Sequence, residues 1–262
     1  MVNNKSSTKL KYPCAMAHGH FENLFKDIWF VKGAVKMPIM LPMKVSRSMT
    51  ILRDPSNNEL TLINSMRLTD AGLDELDNIG NVTNVIRIAG FHGRDDAFYR
   101  EKYGAKIYAI RGQTYVRKFD NETKTEDGYM QADVWLENDS VLPIDSASLK
   151  IFGTAKPTEA IIILAREGGI LVTGDSLQNT PEPDQYVNFP ARWMMKKMGF
   201  FKEFNIGPGW LGFAEPEEAE VRSVLDLEFD HVLPAHGDPV ITGAKEKYRP
   251  ALEGDLKACH AN

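Results

Sequence analysis

Ile86-Arg-Ile-Ala-Gly-Phe-His-Gly-Arg-Asp-Asp-Ala-Phe-Tyr99 decides the fold. An apolar strand, Val85 to Ile88, runs into a loop crowded with the ionisable groups His92, Arg94, Asp95 and Asp96. A helix follows from about Ala97 to Tyr103. Open α/β sheets place their chemistry in such loops, outside the C-terminal ends of strands. Two later segments repeat the form. Ile170-Leu-Val-Thr-Gly-Asp175 is a strand ending in Gly-Asp, and His231-Val-Leu-Pro-Ala-His-Gly-Asp238 is a strand ending in His-Gly-Asp. Three strand ends, each delivering His or Asp, can converge on one site.

Working outward, residues 1–23 read as an N-terminal arm and 24–262 as one domain with an apolar helical or loop elaboration at about 178–214. In the arm, His18 and His20 sit at i, i+2, where a strand would put both on one face and let them chelate a metal; simple packing of the arm is the plainer expectation. Ile28 to Val31, Arg47 to Leu52 and Glu59 to Asn64 are strand-like, the last two joined by the turn Asp54-Pro-Ser-Asn-Asn58. Met37-Pro-Ile-Met-Leu-Pro-Met43 is rich in flexible thioethers, read as core or edge packing, with a substrate-facing lip as the sharper alternative. Thr69 is placed to cap a helix running to Leu76. Ala160–Ala165 and Gly169–Thr173 form a hairpin whose second strand leads to Asp175. Phe189 to Phe201 reads as a short apolar helix, and Gly207 to Phe213 as a Gly-rich aromatic loop. Glu215 to Leu227 is helical, and a last helix from about Ala244 is expected to be interrupted at Pro250.

Composition narrows the class. With 43% hydrophobic and 26% charged residues, the chain of 262 residues reads as a globular domain. A net charge of −5 does not favour nucleic acid as a partner. No apolar run approaches the roughly 20 residues of a spanning helix, and the polar start Met1 to Leu10 lacks an apolar signal core, so the expected location is cytoplasmic. Cys14 and Cys259 are read as reduced thiols, and Asn121-Glu-Thr123 as a chance match to a glycosylation acceptor.

The order of elements resembles the metallo-β-lactamase superfamily, over about residues 25 to 245. Its members carry a His-x-His-x-Asp-His loop after a strand, a later His, a Gly-Asp after a hairpin and a final Gly-His. His92 matches the first His of the loop, Asp96 its Asp, Asp175 the metal-bridging Asp and His236 the last His. The resemblance implies an α/β fold, the four-layer αββα sandwich, and places these four residues as metal ligands if a metal is bound. The departures lie at Arg94 and Ala97, where the second and third His would stand, and near Ala155, where the later His is missing. A second register would make Asp95 the family Asp, leaving His92 unexplained.

These departures shape the chemistry expected. A dinuclear zinc site needs enough imidazoles and carboxylates to fix two ions, and three of the usual histidines are absent. The expectation is no cofactor, or one divalent ion (Zn, Mn or Fe), rather than a two-metal centre. A guanidinium cannot ligate a cation, so Arg94 is expected to supply fixed positive charge in place of metal. It would bind an anionic ligand, helped by Lys156, with His92 and Asp95 as the groups able to move protons. Three functional readings follow. One is a degenerate site binding a small anionic ligand, without ordinary dinuclear hydrolysis. Another is a mononuclear hydrolase of an ester or phosphodiester. The third is an interaction protein using residues 189–213, with a homodimer rather than a membrane surface as the expected partner.

Overall fold

The computed structural model describes residues 12–37, 43–113 and 131–256. Seven strands form the first sheet in chain order: β1 (Glu22–Phe25), β2 (Ile28–Lys36), β3 (Lys44–Arg53), β4 (Glu59–Ile63), β5 (Asn81–Arg87), β6 (Lys106–Ile110) and β7 (Val134–Leu136). β1 to β4 pair antiparallel and β4 to β7 parallel. The parallel connections carry helices α1 (Asp70–Ile79) and α2 (Asp96–Tyr103). Thr69 caps α1 as the sequence predicts, its side chain accepting from the Gly72 N–H.

The second sheet comprises β8 (Ala147–Phe152), β9 (Glu159–Leu164), β10 (Ile170–Val172) and β13 (His231–Leu233) in the order β13-β10-β9-β8. Only its β10–β13 pair is parallel. Between β10 and β13 lie an antiparallel ribbon, β11 (Leu177–Thr180) with β12 (Lys202–Ile206), and helices α3 (Phe189–Lys197), α4 (Pro208–Ala214) and α5 (Glu218–Arg222). Helix α6 (Ala244–Glu253) follows β13.

Alternation along the strands builds the layers. Ala160, Ile162 and Leu164 of β9 face Ile63, Ile86 and Ile88 of the first sheet and form the central core. Ile161 of β9 and Leu171 of β10 point the other way, onto Trp210, Val221, Tyr248 and Leu252 of the helices outside the second sheet. Leu73 and Leu76 of α1 and Tyr99 of α2 cover the first sheet's outer face with Leu60, Leu62 and Val85. The result is the helix–sheet–sheet–helix sandwich expected from the sequence.

Three local expectations change. The aromatic stretch 207–213 is helix α4, with Pro208 in its first turn, where its missing N–H is harmless, and Trp210 and Leu211 buried. Helix α6 continues through Pro250, packed by Tyr248 and Leu252 on either side of it. Residues 176–214 contain the β11–β12 ribbon as well as helices. The methionine-rich stretch is described only at its ends, where Met37 N–H donates to the Met43 carbonyl and both side chains join a cluster with Val187, Ala191 and Met195. Asn121-Glu-Thr123, Cys259 and His260 lie outside the described residues. Among those described, no helix is long and apolar enough to cross a membrane.

Candidate functional site

Strand direction selects what meets at one edge of the sandwich. The C-terminal ends of β5, β10 and β13 lie there and present His92, Asp175 and His236. β3 and β9 run antiparallel to their neighbours β4 and β10, so their N-terminal ends come to the same edge with Ser46, Arg47 and Glu159. The sheets are tied there by Ala160 N–H to the Ile88 carbonyl (2.9 Å) and Asn64 Nδ2 to the Thr173 carbonyl (3.2 Å).

His92, Asp175 and His236 come together as the sequence predicts. His236 Nε2 lies 3.0 Å from Asp175 Oδ1, His92 Nε2 3.5 Å from Asp175 Oδ2, and the two Nε2 atoms 3.3 Å apart. Tetrahedral zinc with bonds of roughly 2.0–2.2 Å sets its ligand atoms about 3.4 Å apart, close to the 3.3 Å between the two Nε2 atoms, and each imidazole has one carboxylate oxygen of Asp175 beside it. Hydrogen bonding fits a cation equally well. His236 Nδ1 donates to the Ser46 carbonyl at 2.9 Å, so its Nε2 lone pair points inward when the ring is neutral. Then His236 Nε2 and Asp175 Oδ1 are two acceptors face to face, with at most the His92 hydrogen between them. Asp175 Oδ2 and His92 Nδ1 are buried without a hydrogen-bond partner. The side chains of His236 and Asp175 are 20% and 13% exposed and that of His92 5%, so the open side faces His236 and Asp175.

Burial pushes the His92 imidazole down to about 4 even though Asp175 pulls it up, which leaves it neutral and able to offer a lone pair at neutral pH. Burial alone would raise the Asp175 carboxyl. At the acid pH where the carboxyl titrates both imidazoles carry protons, and the charge of His92 first, with His236 beside it, outweighs burial and holds Asp175 well below the usual carboxylate range.

Asp96 has other partners than the resemblance implies. Its Oδ2 accepts from Arg87 Nη1 (2.8 Å) and its Oδ1 from Ser65 Oγ (2.6 Å), in an ion pair with both side chains fully buried. Arg87 Nε is held in turn by Gln113 Oε1 at 3.2 Å. Gly93 permits this arrangement, because a Cβ there would stand 2.6 Å from Arg87 Cδ, and its φ is +106°. Among the described residues, the group able to hold a metal is therefore His92, Asp175 and His236, without Asp96.

Fixed positive charge also comes from other residues than expected. Arg94 is half-buried, donates to the Lys36 carbonyl at 3.0 Å and acts electrostatically on Asp95 and Arg47. Lys156 is exposed, and its backbone N–H bonds the Ala214 carbonyl. Arg47 is the cation inside. It is buried, donates to the Asn64 and Ser65 carbonyls, and feels Asp95, Asp96 and Asp175; burial lowers its pKa against their pull. Arg47 Nε and Asp95 Oδ1 are both buried without a hydrogen-bond partner. Burial raises the Asp95 carboxyl, against the charge of Arg47.

Glu159, also unforeseen, is buried and accepts from the N–H groups of Asp175 (3.0 Å) and Ser176 (2.7 Å), fixing the turn that presents Asp175. Burial, then the Asp175 charge, raises it to about 8. The N-terminal histidines do not supplement the site. His18 joins the α1 cap, its Nε2 against Thr69 Oγ1 at 2.8 Å and its Nδ1 on the Gly19 carbonyl, while His20 is exposed beside Glu75. His231 starts its strand, as expected, with Nε2 on the Glu167 carbonyl.

In structure the chain is similar to many metallo-β-lactamases. The metallo-β-lactamase DIM-1, exposed to ceftazidime, matches with TM-score 0.60 and 15% identity over 92% of this chain and 99% of that one. FIM-1 from Pseudomonas aeruginosa, in its mono-zinc form, matches with TM-score 0.58 and 14% identity over 95% and 98%. A metallo-β-lactamase from Hirschia baltica gives 0.55 and 14% over 89% and 97%. No family model matches the sequence, and no curated protein does. The chain has the metallo-β-lactamase fold. At such identities the likeness extends to the fold and not to substrate.

Proposed function

We propose that this metallo-β-lactamase fold carries one divalent metal ion on His92, Asp175 and His236 and serves as a mononuclear hydrolase of an ester or phosphodiester bond in a small anionic substrate. The observation that carries the reading is the grouping of three donor side chains, His92 and His236 with their Nε2 atoms 3.3 Å apart and one oxygen of Asp175 within 3.0–3.5 Å of each, with the His236 lone pair aimed among them by its bond to the Ser46 carbonyl. Three protein ligands and one open position are the pattern of a catalytic rather than a structural zinc site. Ordinary dinuclear hydrolysis has little support: the Arg87 pair and Ser65 occupy Asp96, and the Arg47 charge opposes a second cation.

When bound, such an ion supplies Lewis acidity and a coordinated water that ionises near neutral pH. The chain's own groups do the rest. Ser46 fixes the His236 tautomer, and Glu159 orients Asp175 through the backbone. The buried Arg47 charge favours a substrate that brings negative charge to this edge. Asp95, with one oxygen unpartnered and its carboxyl raised by burial, is the group we assign to hold a proton during the reaction.

A second reading, in which the same edge binds a small anion without metal, would rest on the buried Arg47 charge, since Arg87 is already paired with Asp96. Elemental mass spectrometry separates the two, on protein purified without tag or chelator beside His236→Ala. About one Zn, Mn or Fe per chain, lost in the variant, is expected from the three-ligand site. Ester and phosphodiester hydrolysis should be lost with it. Two ions per chain, or one retained without His236, would refute the assignment. Metal-free protein that binds a small anion would establish the second reading.

A further inference from the structure

α3 shows the core only one side. Ala191 and Met195 are buried, while Phe189 and Trp193, 80% and 58% exposed, lie on the opposite face with Lys196 and Lys197 at the same helical spacing. Lys197 Nζ lies 4.1 Å above the Trp193 ring, and Arg192 is exposed beside them. From Pro190 to Lys202 the sequence holds four cations and no carboxylate, in a chain of net charge −5. This face therefore opposes the charge of the molecule that carries it.

We propose that α3 is a docking face for an anionic lipid surface. Aromatic rings flanked by cations are what a helix lying in the headgroup region uses. The rings enter the boundary, while the lysine stems lie along it and put their ammonium groups on phosphates. The sequence alone pointed to a second copy of the chain. A two-fold contact centred on α3 would instead set these cations against their own images with no carboxylate on the helix to pair them. The face is also rigidly presented. Asn188 Oδ1 caps α3 through the Ala191 N–H (3.4 Å) and accepts from the Lys44 N–H (3.1 Å), while Asn188 N–H donates to the Lys44 carbonyl (3.2 Å). Lys44 opens β3, and two residues on, Ser46 holds His236. The docking face and the candidate site are therefore fixed to the same strand end.

The test is flotation of the full chain with phosphatidylcholine vesicles and with vesicles of equimolar phosphatidylcholine and phosphatidylglycerol. Binding is expected to the anionic vesicles only and to weaken with added salt. At about fivefold per cation, Lys196→Gln with Lys197→Gln should weaken it about 25-fold. Phe189→Ala with Trp193→Ala should abolish it. All four positions are exposed, and unchanged thermal midpoints would show that each variant folds. Equal binding to both vesicle types, or binding to neither at low salt, overturns the proposal. So does a concentration-dependent dimer in free solution that Trp193→Ala dissolves, which would assign the face to a second copy.

Discussion

Asp96→Asn separates two roles the same residue can have. As a metal ligand, Asp96 would take the metal with it when replaced. As the partner of Arg87, it would take stability instead. The side chains of Asp96 and Arg87 are 1% and 0% exposed, and the salt bridge is 2.8 Å long. Removing one member of such a pair strands the other charge and costs roughly 3–5 kcal/mol. Asparagine keeps an oxygen for Ser65 Oγ but offers Arg87 a neutral partner, so about 3–4 kcal/mol is expected. For a chain of this size that is roughly 6–16 °C in Tm. Arg87→Met should cost a similar amount. The double variant should cost clearly less than the two together, with a coupling of about 2 kcal/mol or more. Chemical denaturation of the metal-free protein gives the stabilities, and elemental analysis of each variant gives the metal. The expected outcome is a destabilised Asp96→Asn that still holds its ion. If instead it loses the ion while metal-free stability moves by less than about 0.5 kcal/mol, Asp96 is a ligand and the reasoning fails.

Two further outcomes follow from the same edge. His92 is held down to about 4 in the fold against 6.5 for the free group. Between those values the unfolded chain binds the proton first, so metal-free stability should fall as pH drops from 6.5 to 4, by up to about 3 kcal/mol. The His92 share is the difference from His92→Gln measured at the same pH, and a pH profile identical in the two proteins would contradict it. Glu159→Gln keeps the volume but turns an NH2 toward one of the two backbone N–H groups that the carboxylate accepts. Metal affinity should drop about 10- to 100-fold by competition with a chelator while the far-ultraviolet dichroism is retained, and unchanged affinity would remove Glu159 from the Asp175 support.

What the sequence showed, and what it hid, divides by range. The polar ends of β5, β10 and β13 were legible because each is a local pattern, an apolar run closing on Gly-Asp or on His. Thr69 was legible as a cap for the same reason. Arg47, Arg87 and Glu159 were not, because each sits inside or at the start of a strand and carries no local mark of its partner. Arg87 appears only as an interruption in an apolar run, and its partner Asp96 lies beyond a turn that Gly93 makes possible. Topology is the signal that could have found two of them: once β3 and β9 are read as antiparallel to strands that end at the site, their first residues must lie at that edge. Arg94 looked like the counter-ion because alignment put it in a ligand's place; it donates to the Lys36 carbonyl, while the fully buried guanidinium is Arg47, on a strand far from the motif. The 207–213 stretch looked like a loop because Gly207, Pro208 and Gly209 are poor helix formers, but Pro208 falls in the first turn and burial of Trp210 outweighs the propensity.

Charge at this edge supports the proposed single ion over two. Four buried carboxylates gather here, Asp95, Asp96, Asp175 and Glu159, with two buried guanidiniums, Arg47 and Arg87. With all of them ionised the excess is two negative charges, the charge of a single divalent cation. Protonation of Glu159, which burial raises to about 8, leaves still less room for a second. The two guanidiniums together carry the charge of one divalent ion, and Arg47 is the one that interacts with Asp175 electrostatically. Arg47→Met should therefore strengthen binding of the ion by about tenfold or more, because a repelling charge is removed at low effective dielectric. It should also lower metal-free stability, because Asp95 and Asp96 lose the charge that balances them. Zinc titration against a chromophoric chelator measures the first and denaturation the second. Tighter metal with a weaker fold is the pattern that a guanidinium in place of a metal ion must give. An affinity that falls with the arginine would show that Arg47 positions the ligands, and that its charge is not what limits the site to one ion.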